Sequence, residues 1–196
     1  MTTRRDVLAA GLAAGILPHG LPASAVPRAN GAILRPYRIV VDSRFSASAP
    51  LARAANRKGL AVSTITGDVT KLWYDDLYHR WRRGAAPIAG LTDPTALFCL
   101  EQIAWDVGMR VLLRIEHARV SGSLIEHRVT APAGLLSHAR ALGQTSAPWS
   151  SDAARLVLEF PARTVRGDQA SLTVESRFAD SSDPAFLVSW VIGTRV

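Results

Sequence analysis

Hydrophobic and polar positions divide the chain into two patterns. Between residues 37 and 117, short apolar runs alternate with stretches whose apolar residues recur every three to four positions. Residues 37–42, 60–65, 88–91 and 110–116 read as strands, and 47–58, 70–83 and 94–107 read as helices. Gly59, Gly84 and Gly108 close the three helices, Ser46 is placed to cap the first, and Asp93 or Thr92 the third, where Pro94 suits the first turn. The stretch 87–117 is the clearest unit: strand, apolar-striped helix, strand. Three such crossovers linking four strands predict an α/β fold, a small parallel sheet with crossover helices of the Rossmann-like, doubly wound sort.

From about residue 110 the period changes. Residues 118–120 and 124–129 read as strands around Ser121-Gly122-Ser123, a hairpin signal. A short helix is expected over 135–142, a polar turn region over 144–152, and strands over 155–160, 170–178 and 186–194. Thr173, Glu175 and Arg177 alternate with Leu172, Val174, Ser176 and Phe178, as in a sheet with one wet face. The expectation is a single α/β domain over 37–196 whose C-terminal part is a β-rich, mainly antiparallel extension. Residues 26–36, with two prolines and Asn30-Gly31, read as a linker.

The first 25 residues follow a different logic. Arg4-Arg5 precede an apolar run from Val7 to Leu17, Pro18 breaks it, and Ala23-Ser24-Ala25 offers small residues for cleavage. The paired arginines followed by Val7-Leu8 resemble the twin-arginine signals that carry folded proteins across a bacterial inner membrane. The resemblance covers the leader alone and implies a periplasmic protein, exported by itself or with a cofactor-bearing partner. With no cysteine after the apolar run, a lipoprotein anchor is not expected.

Composition narrows the chemistry. Cys99 is the single cysteine, so an internal disulfide and a cysteine-held metal cluster are excluded. The net charge is +7, carried almost wholly by arginine, since Lys58 and Lys71 are the only lysines. An exported basic protein does not meet nucleic acid. Its charge suits anionic headgroups, an acidic partner or an anionic small ligand. No segment of the mature chain is long and apolar enough to span a bilayer. Cys99, between Ala96 and Ile103 inside a helix, reads as a small buried hydrophobe, and no cofactor motif is present.

In a parallel sheet the polar tips of the strands gather at the carboxyl ends. That rim would hold Asp42, Arg44, Asp68, Thr92, Asp93 and His117. Arg44 would meet a carboxylate or phosphate, Asp68, Thr92 and Asp93 would contact a ligand, and Asp42, Asp68 and His117 are the catalytic candidates. Asp42, Asp68 and Asp93 also suit plain turn and cap roles, which the sequence favours. Trp73, Leu77 and Trp81, with Tyr74 and Tyr78 beside them, form a core stripe, or, through Trp73 and Tyr74, an aromatic wall beside a ligand. Ile-Glu-His occurs twice, at 115–117 and 125–127. A two-residue turn would set Glu116 opposite His127 and His117 opposite Glu126, as ion pairs on an exposed ribbon. A three-residue turn would set His117 opposite His127, a candidate metal pair needing a third ligand from His79 or His138. The pattern favours the ion pairs.

Three functions stay open on sequence. The first is a non-catalytic periplasmic accessory or ligand- and partner-binding protein, co-exported with a redox enzyme. The second is a small hydrolase or isomerase at the rim. The third is a metal-dependent enzyme on His117 and His127.

Overall fold

Alternation along the early strands is what divides the core in two. A computed structural model describes residues 33–121, 123–142, 147–161, 168–177 and 186–194. The expected leader, Gly122 and Phe178 lie outside them. Strands β1 (Arg38–Asp42), β2 (Val62–Ile65), β3 (Ile88–Thr92), β4 (Met109–Ser121), β5 (Leu124–Pro132), β6 (Gln169–Ser176) and β7 (Phe186–Thr194) form one mixed sheet. Its order is β2-β1-β3-β7-β4-β5-β6. On β1, Ile39 and Val41 face one layer and Val40 the other. The first layer carries α1 (Ala49–Arg57), α4 (Leu136–Ala139) and α5 (Trp149–Leu158). The second carries α2 over 70–81 and α3 (Pro94–Trp105). Helix α2 is segmented: α-helical Thr70–Leu72, a π-helical turn Trp73–Leu77, then α-helical Tyr78–Trp81.

The α/β class holds, but four adjacent parallel strands do not form. β1 pairs in parallel with β2 and β3, whereas β7 enters between β3 and β4 and is antiparallel to both. The sheet is therefore mostly antiparallel, and the Rossmann-like extension to a fourth strand is corrected. The reason lies in β7 itself. Leu187, Val188, Trp190, Val191 and Ile192 are buried on both faces, which only a central strand allows. Trp190 fits because Gly90, beside it on β3, has no side chain. A Cβ there would overlap the Val40 carbonyl and lie 2.6 Å from Trp190 Cζ2.

Three local expectations also change. Residues 155–160 are not a strand: α5 runs to Leu158, burying Trp149, Ala153, Ala154, Val157 and Leu158 at helical spacing. Of the linker expected over 26–36, residues 26–32 lie outside the described residues, and the remainder is tied down, since Ile33 bridges Pro161 and the Leu34 N–H donates to the Phe160 carbonyl at 2.8 Å. Ser46 does not cap α1; a 3-10 turn, Ser46–Ser48, leads into the helix, and the Ser48 hydroxyl donates to the Asp42 and Phe45 carbonyls. Asp93 does cap α3, its Oδ1 accepting from Ala96 N–H at 2.8 Å.

Candidate functional site

The rim at the carboxyl ends of β1–β3 exists, and it is closed on itself. Asp42 ends β1 fully buried. Its carboxylate accepts from the Arg44 backbone N–H at 3.1 Å, from Nε at 3.0 Å and from Nη2 at 2.6 Å. The same Nη2 bridges to Asp93 Oδ2. Hydrogen bonds from Arg44 to Asp42 and then to Asp93 raise the guanidinium above its ordinary value. Gly67, at φ +90, makes room for this fork: a Cβ there would meet the Arg44 guanidinium carbon at 2.6 Å. Arg44 is thus engaged by two carboxylates.

Of the other rim candidates, Thr92 is buried and its Oγ1 accepts from Trp190 Nε1 at 3.2 Å. Exposed Asp68 lies just before α2, its Oδ1 accepting from Thr70 N–H at 2.8 Å across the turn that precedes the helix. Hydrogen bonds from the Thr70 side chain and backbone lower its carboxyl. Trp73 packs edge-on against Tyr78 and Trp81, with ring centres 5.5 and 6.0 Å away, while Tyr74 is exposed. Leu77 and Trp81 are core.

The histidines form a second cluster, on the α1/α5 side of the sheet. Two bulges place them. At Leu112 the β4–β7 register shifts, so Met109 and Val111 face one layer while Leu113, Ile115 and His117 face the other. Near Val120 the β4–β5 register shifts, which sets His117 opposite His127. The two-residue-turn ion pairs therefore do not form; Glu116 faces Arg128, and Glu126 faces Ala118. Glu116 and Arg128 carry, with Thr173, the expected wet face.

His117 Nδ1 and His127 Nδ1 are 2.7 Å apart. His117 Nε2 lies 2.8 Å from Ser189 Oγ and His127 Nε2 lies 2.9 Å from Ser176 Oγ. Both serines are diagonal neighbours on the next strands, so the row Ser189–His117–His127–Ser176 crosses four strands. Trp149 roofs it, with ring centres 4.3 Å from His117 and 5.6 Å from His127. Both imidazoles are buried. Burial, and secondarily His127, holds His117 well below the ordinary imidazole value, and burial pushes His127 down to about 4. The pair is neutral at pH 7. When His117 donates its Nδ1 hydrogen, its Nε2 must accept from the Ser189 hydroxyl, and His127 Nε2–H must donate to Ser176; the other tautomer reverses all three bonds.

The nitrogen spacing is that of a hydrogen bond. Two imidazole ligands on one tetrahedral zinc would sit about 3.3 Å apart. Among the described residues no group of three or more His, Cys, Asp or Glu side chains could hold a metal ion. Neither His79 nor His138 joins the pair.

Ser176, Ser189 and Trp149 were not among the residues the sequence nominated. Ser189 had a signal: it is the one hydroxyl within the apolar run Leu187–Ile192. No protein-family model matches the chain, and neither a curated protein nor a solved structure does.

Proposed function

We propose that the chain is an exported periplasmic accessory protein that binds a ligand or partner without turning over a substrate, and that it travels with a cofactor-bearing redox enzyme. One observation carries the non-catalytic part: Asp42 and His117 are buried in hydrogen bonds to neighbouring side chains, while Asp68 stands apart from both. A general base needs a free lone pair within reach of a substrate proton. Asp42 is buried against Arg44. Both nitrogens of His117 and of His127 are in hydrogen bonds beneath Trp149. Asp68 accepts from Thr70 N–H across the turn that precedes α2. Export rests on Arg4-Arg5 and the apolar run behind them. Among the described residues no helix is long and apolar enough to cross a membrane.

A tagged copy expressed in its host tests the reading, beside an R4K/R5K variant. The expected result is periplasmic recovery of the unaltered chain, cytoplasmic retention of the variant, and a cofactor-bearing enzyme recovered in stoichiometric amount. Equal periplasmic yields would remove the export route. Turnover by the purified protein, lost on His117→Gln, would replace the accessory reading with an enzymatic one.

A further inference from the structure

The end of the sheet opposite the rim is open. A cleft of about 430 Å³ lies where the chain enters β1, β2 and β3, between Arg35, Tyr37, Leu60, Arg80, Ala86 and Pro87. That volume falls among small-ligand sites. Its charges are not balanced. Asp76, in the π-helical turn of α2, accepts from the Tyr37 hydroxyl at 2.6 Å and pairs with Arg38 at 2.6 Å. Arg80 lies over the Tyr37 ring, 5.3 Å from its centre, and donates to the Gly84 carbonyl at 3.3 Å. Arg35 is exposed, and neither it nor Arg80 has a carboxylate partner among the described residues. The lining of the cleft itself therefore carries Arg35 and Arg80 and no acid, while Arg38 and Asp76 pair with each other behind Tyr37. Leu60, Ala86 and Pro87 add apolar lining to the cleft. Turns of π geometry inside helices recur at functional positions, and here that turn supplies the acid that fixes Tyr37 and Arg38.

We propose that this cleft binds a small organic anion, a carboxylate or phosphate monoester with an apolar body. Arg35 and Arg80 take the anionic oxygens, and Tyr37, Leu60 and Pro87 cover the body. Guanidinium forks suit both head groups. The inference rests on the ligand-binding reading above and names the ligand class.

Benzoate and phenyl phosphate are the probes, with benzyl alcohol as the neutral control, each titrated into the purified protein while backbone amide shifts are followed by NMR. Saturable shifts at Gly59, Ala61 and Ala86 are expected for one or both anions and not for the alcohol. R35Q and R80Q should each weaken binding about tenfold. R128Q removes the same charge from the wet face of β5 and should leave binding unchanged. The relative affinity of the two anions says which head group the cleft prefers. Absence of saturable shifts into the millimolar range, or equal weakening by R128Q, overturns the proposal. Arg35 is exposed, so R35Q tests it without disturbing the core. Probe failure with intact recovery of a redox partner removes the cleft and leaves the accessory reading. Release of phenol from phenyl phosphate, dependent on Arg35 and Arg80, upholds the cleft and removes the non-catalytic reading.

Discussion

Lowering the pH below neutrality should loosen the sheet at the histidine row before it affects anything else described. His127 is fully buried and held at about 4, whereas in an unfolded chain an imidazole titrates near 6.5. Between those values the unfolded chain takes up a proton that the folded chain refuses, so stability is complete above about pH 6.5 and falls as pH drops, levelling off below about pH 4. The gap corresponds to about 3 kcal/mol for His127. His117, also depressed, adds in the same direction. The measurement is urea unfolding at a series of pH values between 7.5 and roughly 4, followed by tryptophan emission. His127→Gln keeps a polar group near Ser176 but does not titrate. It should start less stable at pH 7 and lose about 2–3 kcal/mol less than the unaltered protein over the acid range. Identical pH slopes in the two proteins would refute the argument. Stability rising toward pH 5 would mean that the folded pair holds a shared proton.

Gly90→Ala should destabilise by about 3 kcal/mol, because the new methyl overlaps backbone as well as the Trp190 indole; the urea midpoint and the Trp190 emission report it. Arg44→Gln leaves Asp42 buried without its partner. The Arg44 side chain is 43% exposed, so a loss of about 2 kcal/mol is expected, largely recovered in the Asp42→Asn/Arg44→Gln double variant. Asp93→Ala removes both the α3 cap and one arm of that bridge, and should cost about 1–2 kcal/mol at pH 7 by the same assay.

Local signals in the sequence were readable wherever neighbours in the chain decide the outcome. The Asp93-Pro94 start of α3, the glycine stops and the bounds of β7 follow from caps and periodicity. The gathering of Asp42, Arg44 and Asp93 followed from parallel pairing of β1 and β3. That Arg44 would close on those two acids was not legible, since it depends on Gly67 leaving space for the fork. Strand order failed because β7 pairs with β3 across about a hundred residues, a choice made by two-sided burial and not by any local pattern. Helix α5 was missed because Leu156-Val157-Leu158 is apolar in either period, and the deciding partners, Trp149 and Ala153, precede it. The histidine register turned on bulges at Leu112 and Val120, which no residue type there announces.

The position of β7 has a consequence for how the molecule is made. Within the sheet, β1–β3 and β4–β6 touch through this strand alone, so the two sets of strands are joined by helix packing, α1 on α5 and α3 on β4, until residues 186–194 pair. Each half meanwhile shows a bare edge, β3 on one side and β4 on the other, to any passing strand. One strand, the one that carries Trp190, therefore covers both edges at once.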